Sequence, residues 1–176
     1  MTNRRKIIND PVYGFISIPN DLVYDLMGHP WFQRLRNIRQ LGLSSLVYPG
    51  AVHSRFQHCL GAMYLTGLAV HTLRSKGTDI SAEEEEGVLA AILLHDIGHG
   101  PFSHALEHSL IEDMPHETMS LLIMEELNRT LEGRLETAIA IFRGEYPRKF
   151  FHDLVTGQMD MDRMDYLRRD SFFTGV

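Results

Sequence analysis

Apolar residues recur every three or four positions along most of the chain, the period of helices with one buried face. Ahead of that rhythm, Ile7-Ile8 and Phe15-Ile16-Ser17-Ile18 flank the turn-rich Asn9-Asp10-Pro11-Val12-Tyr13-Gly14 and predict a small hairpin. Asn20 or Asp21 caps a short helix carrying Leu22, Val23 and Leu26, which Gly28 and Pro30 end. Trp31, Phe32, Leu35, Ile38 and Leu41 continue at helical spacing to Gly42, with Arg34, Arg36 and Arg39 on other faces. Those arginines read either as a solvated surface or as contacts to an anion or nucleotide. After a connector at Leu46-Val47-Tyr48-Pro49-Gly50, the residues Phe56, Leu60, Met63, Leu68 and Leu73 predict a long helix that packs through Gly61, Ala62 and Gly67. Taken alone, His58 near its start reads as a hydrogen-bonded core histidine.

Ser81 and Glu84 form a capping-box pattern, so Glu83 to Glu86 read as a favourable helix N-terminus. The apolar run Val88 to Leu94 follows and delivers His95-Asp96, then His99 and His104, with Gly98, Gly100 and Pro101 breaking the helix between them. A neutral imidazole and a carboxylate at the end of a buried helix are good metal donors, and burying them without a metal or other partner is costly. His95 and His99 share a face if the last turn continues past Gly98. His104, Leu106, His108 and Ile111 suggest another short helix. Further helices are predicted around Thr118 to Asn128, Leu131 to Phe142, Pro147 to Thr156 and Asp162 to Phe172, and methionines 119, 124, 159, 161 and 164 are expected to fill the core or line a pocket.

Composition narrows the class. The chain has 176 residues, 44% hydrophobic and 23% charged, which suits one domain with a real core. Seventeen basic residues stand against 23 acidic, a formal charge of -6, so a generally cationic nucleic-acid surface is not indicated. The one cysteine, Cys59, excludes an intramolecular disulfide and a Cys-rich metal motif. Met-Thr-Asn-Arg-Arg-Lys is followed by no signal-peptide core, and no apolar stretch approaches membrane-spanning length, so the chain reads as cytoplasmic. The compositional anomaly is ten histidines.

A second cluster lies in Asp160-Met161-Asp162-Arg163-Met164-Asp165-Tyr166-Leu167-Arg168-Arg169-Asp170. In a helix starting near Asp160, the residues Asp162, Asp165, Tyr166, Arg169 and Asp170 fall on one side. That set suits a metal and a nucleotide; surface salt pairing is the alternative.

His58, His95-Asp96 and Asp162 on successive helices resemble the H…HD…D signature of the HD-domain metal-dependent phosphohydrolases. Asn9-Asp10-Pro11, Phe32-Gln33-Arg34-Leu35-Arg36, Gln40-Leu41-Gly42, Tyr48-Pro49-Gly50-Ala51, Arg55-Phe56-Gln57-His58, His95 to His104, His116-Glu117 and Asp160 to Tyr166 are similar to its deoxynucleoside triphosphate (dNTP) triphosphohydrolase branch. The resemblance implies an all-α HD-domain helical fold beside the small N-terminal β-hairpin, as a single HD domain over 1–176 without the C-terminal region of longer members. It implies one divalent transition metal (Mn, Fe, Zn or Ni) on His58, His95, Asp96 and Asp162, and hydrolysis of a dNTP to deoxynucleoside and triphosphate. By position, His99, His104 and His116 resemble phosphate-facing histidines, with His104 as general acid and His116-Glu117 supporting it. Arg55 would contact phosphate, while Tyr166 and Asp170 would meet the sugar, Asp170 accepting from the 3′-hydroxyl. A homo-oligomer is implied, and no membrane partner. Gly28 stands where the vertebrate enzyme has an acidic residue that reads an activating guanine nucleotide, so the resemblance does not carry activation of that kind over to this chain. Two other readings keep the motif: hydrolysis of another phosphoester (a nucleoside monophosphate, cyclic nucleotide or guanosine polyphosphate), or a nucleotide-sensing or nucleic-acid-binding regulatory module.

Overall fold

One helix, α4 (Ala82–Leu94), is buried on every side from Gly87 to Leu94, and the rest of the chain is wrapped around it. A helix with no solvated face needs neighbours all round. They are α1 (Asp21–Gly28), α3 (Arg55–Ser75), α6 (Glu136–Phe142) and α7 (Phe150–Thr156). Each fully buried Leu or Ile of α4 contributes roughly 1.5–3 kcal/mol. Its start is fixed by the predicted capping box: Ser81 Oγ accepts from Glu84 N at 3.1 Å, and Glu84 Oε2 accepts from Ser81 N at 2.8 Å. Tyr146 and Arg148 donate to the same carboxylate.

The computed structural model describes residues 6–102 and 114–176. Strands β1 (Ile7–Asp10) and β2 (Gly14–Ser17) pair antiparallel, Ile7 opposite Ser17 and Asp10 opposite Gly14, and β2 rests on α3. α2 (Pro30–Gln33) follows α1, α5 (His116–Thr130) follows the 95–102 segment, and α8 (Met161–Thr174) lies along α3. The fold is therefore helical with one small hairpin, as predicted. No helix among the described residues is long and apolar enough to cross a membrane.

Two stretches and three single positions depart from the apolar rhythm. The periodic run from Trp31 to Leu41 is not one helix: α2 lasts four residues, a 3₁₀ turn covers Arg34–Asn37, and Ile38 is extended. Arg55 N donates to Ile38 O at 2.8 Å and Gln40 N to His53 O at 3.0 Å, so pairing with residues 53–55 takes the hydrogen bonds a helix would need. The run from Leu131 to Phe142 becomes helical only at Glu136, because Glu132 and Gly133 adopt positive φ. Leu68 and Met164 face solvent although the periodicity put the first inside and composition the second, and Met159 lies exposed on the rim of an outer groove.

The arginines after Trp31 are largely accounted for within the fold. Arg34 donates to the carbonyls of Ile97 and His99, the second at 2.7 Å, and so braces the turn after α4. Arg36 stacks over Phe56 and Arg39 bonds Ser45 Oγ.

Candidate metal centre

The apolar run of α4 ends where imidazole and carboxylate must find partners. Past Leu94 the backbone tightens, with Ile97 N donating to Leu94 O at 3.0 Å and His99 N to Asp96 O at 3.1 Å. Gly98 lets α5 cross directly over this turn: a Cβ there would collide with His116 O and Ser120 N. Ser120 Oγ closes the crossing by accepting from Gly98 N at 2.9 Å and donating to His95 O at 2.7 Å. The crossing brings His116 against His99, their rings stacked 3.9 Å apart at 19°.

Two histidines aim the same nitrogen at one point. His95 Nδ1 lies 2.6 Å from Ile92 O, and His58 Nδ1 lies 2.7 Å from Asp165 Oδ2. Carbonyl and carboxylate oxygens only accept, so both Nδ1 atoms donate and both Nε2 atoms face inward. These Nε2 atoms are 3.4 Å apart. Asp162 Oδ1 is 2.9 Å from that of His58 and 3.4 Å from that of His95, and Asp96 stands at 3.7 and 3.5 Å respectively. Ligands at about 2.1 Å from a metal stand about 3.0–3.4 Å apart in octahedral or tetrahedral geometry, so the two Nε2 atoms and Asp162 Oδ1 could hold a divalent transition metal, with Asp96 bordering them. Orienting bonds on the far nitrogens are what such imidazoles need. Of the four ligands expected from the sequence, His58, His95 and Asp162 form one group, while Asp96 lies beside it and groups with His99 and His116.

The neighbouring carboxylates make both imidazoles more basic than usual. Burial works against a charged His58, but hydrogen bonds to Asp162 and Asp165 outweigh it and raise its pKa to about 10. His95 is raised in the same way, burial being outweighed by Asp96 and Asp162. Asp162 is held below the usual carboxylate range: burial opposes this, and the two imidazoles outweigh burial.

Asp96 also borders a second group. Its Oδ2 pairs with Arg55, and its Oδ1 accepts from His99 Nε2 at 3.3 Å. Burial would raise its pKa, yet His95, Arg55 and His99 keep it well below normal. His99 is pushed down to about 4, by burial first, and is neutral at pH 7. His116 Nε2 lies 3.3 Å from Glu117 Oε1. A cavity of about 200 Å³ opens between the groups, walled by His116, Glu117, Phe142, Val155 and Thr156. His104 falls outside the described residues.

On α8, Asp162, Tyr166 and Asp170 follow one another at single-turn intervals, about 6 Å each. Asp165 and Arg169 do not share their exposure. Both are fully buried, and Arg169 joins Asp165 (2.9 and 3.0 Å) to Asp10 of the hairpin (2.8 and 3.3 Å). Gly61 makes room for this network, since a Cβ would collide with Asp165 Oδ1 and Arg169 Nη2. Asp165 and Arg169 are thus supports behind His58 rather than contacts for a nucleotide. Asp10 reads in the sequence only as a turn residue, and its Oδ1 does accept from Val12 N and Tyr13 N. Nothing local signals its second role. His53, which bonds Asp170, also carried no signal beyond lying five positions before His58.

An HD-domain family model matches residues 55–170. In structure the chain is similar to a phosphohydrolase of Bacteroides thetaiotaomicron, with 61% identity and a TM-score of 0.96 over 98% of this chain and 43% of that one. In sequence it is 37% identical to an uncharacterized protein, YwfO, of Bacillus subtilis (99% of this chain, 41% of the relative). It is 32% identical to the human deoxynucleoside triphosphate triphosphohydrolase SAMHD1 (97% and 34%). The chain spans roughly two fifths of the length of the first two and a third of the last. On its family-model match, its fold and its relatives, the chain belongs to the HD-domain family of phosphohydrolases and resembles the dNTP triphosphohydrolase branch.

Proposed function

We propose that this chain carries the active site of a dNTP triphosphohydrolase, a cytoplasmic protein that works as a homo-oligomer. The observation that carries the reading is the juxtaposition of His58, His95 and Asp162 with Asp96, Arg55, His99 and His116. His58, His95, Asp96 and Asp162 would hold one Mn, Fe, Zn or Ni ion. Bound there, a metal would supply Lewis-acid charge for the reacting phosphate.

The chain's own residues do the rest. Arg55, anchored on Asp96, offers guanidinium charge to phosphate oxygens. Neutral His99, stacked on His116, adds polarity without repelling Arg55. Water attacks the α-phosphorus and gives up a proton to solvent, the bond to O5′ breaks, and His104 delivers a proton to O5′ as the deoxynucleoside leaves; the added oxygen stays on triphosphate. His116, beside Glu117, supports that transfer. Tyr166 meets the sugar and Asp170 accepts from its 3′-hydroxyl. The ladder of Asp162, Tyr166 and Asp170 along α8 supports this order, phosphate end to sugar end.

The test incubates metal-loaded protein with each dNTP in ¹⁸O-water and identifies the products. Intact triphosphate carrying ¹⁸O, lost in Asp96→Ala, is the expected result. Release of orthophosphate or pyrophosphate instead, or turnover only of a monophosphate, cyclic nucleotide or guanosine polyphosphate, refutes it. Light scattering checks the oligomer.

A further inference from the structure

His53 is 1% exposed, and nothing in the proposed reaction uses it. Its Nε2 lies 2.7 Å from Asp170 Oδ1, while its Nδ1 has no hydrogen-bond partner among the described residues. A carboxylate only accepts, so the Nε2–H donates. The ring is clamped. Phe173 stacks on it at 4.6 Å and 25°, and its backbone is held by the bond from Gln40 N and by the bridge between Arg39 and Ser54. Gly50 makes the clamp possible, because a Cβ there would strike Phe173 O.

Asp170 itself is partly exposed, and the plane of an Asp carboxylate turns easily about its last torsion. His53 removes that freedom by fixing one oxygen. The other, Oδ2, has no hydrogen bond or ion pair among the described residues. We propose that His53 is a positioning residue that sets the site's requirement for a sugar 3′-hydroxyl, by holding Asp170 with Oδ2 presented to that group. This rests on the dNTP reading above. A hydrogen bond to a charged acceptor, lost by misalignment, corresponds to about a tenfold effect or more.

The experiment measures kcat/KM of the metal-loaded protein for each dNTP and its 2′,3′-dideoxy counterpart. His53→Phe keeps an aromatic ring on Phe173 and removes the donor; His53→Gln restores an N–H. The preference for dNTP over dideoxy substrate is expected to fall about tenfold in His53→Phe, chiefly through KM, and to recover in part in His53→Gln. Equal losses on both substrates would make His53 merely structural and overturn the proposal. A wild type active on both without preference overturns it as well, and a wild type inactive on every dNTP overturns the dNTP reading itself. If His53→Phe does not fold, the wild-type protein still decides. The His53 Nε2–H proton resonance should shift on adding the α,β-imido analogue of the preferred dNTP and stay in place with its dideoxy form; the same response to both refutes the idea.

Discussion

Metal binding at this site should be a proton exchange, and the structure says where the proton comes from. Without metal, His58 titrates at about 10 because Asp162 and Asp165 overcome the effect of burial, so at pH 7 its Nε2 carries a proton pointing at the metal position. That proton has to leave before the lone pair can coordinate. The sign follows: below about pH 10 each unit of rising pH makes the site about tenfold more available, so Mn(II) affinity should rise about a hundredfold from pH 6.5 to 8.5. His95, raised in the same direction, steepens the dependence at the acid end. Competition against a pH-corrected fluorescent chelator gives the slope. Calorimetry in two buffers of different ionisation enthalpy counts the protons, with one or more expected per metal. Asp165→Asn removes a carboxylate that holds the proton and orients the ring, so the slope should flatten while limiting affinity at high pH falls about 10–100-fold. Affinity independent of pH, with no proton released, would refute the reasoning.

Other consequences are as direct. Gly61→Ala should force Asp165 and Arg169 apart, lowering stability by about 3–5 kcal/mol and weakening metal binding with it, read by denaturant melts and calorimetry. Ile92→Ala in α4 removes a fully buried side chain and should cost about 2–5 kcal/mol in a urea titration. Burial would raise the pKa of Glu84, but the Ser81 amide, Arg148 and Tyr146 lower it. Its contribution is therefore present above the unfolded value of about 4.3 and fades as pH falls through the lower folded value. Glu84→Ala should cost about 1–2 kcal/mol at pH 7 and progressively less below about pH 4, measured as melts across pH.

What the sequence disclosed was mostly local. An apolar run ending in His95-Asp96 announces donors because the chemistry and the helix end are adjacent. Ser81 and Glu84 announce the start of the same helix. Asp162 required the family pattern, since its partners lie far away in the chain. Arg34 looked like a surface or anion-binding cation because its acceptors, the carbonyls of Ile97 and His99, belong to a turn that only the folded chain brings near. The break at Ile38 was hidden for the same reason: apolar spacing registers burial, not whether the backbone bonds within a helix or across to residue 55. Asp10 and His53 were invisible as site supports, each defined by a partner more than a hundred positions on.

The bond between Asp10 and Arg169 spans 159 positions, and it bears on how the protein is made. At about 5–20 residues per second, the ribosome needs roughly 8–32 seconds to deliver the arginine after the aspartate. Until then the hairpin lacks its counter-ion, and His58 lacks the carboxylate that turns its ring. A nascent chain short of α8 thus holds His58 and His95 without the Asp162 that groups with them. The pairing of hairpin and α8 and the gathering of His58, His95 and Asp162 thus wait on the same late segment of the chain.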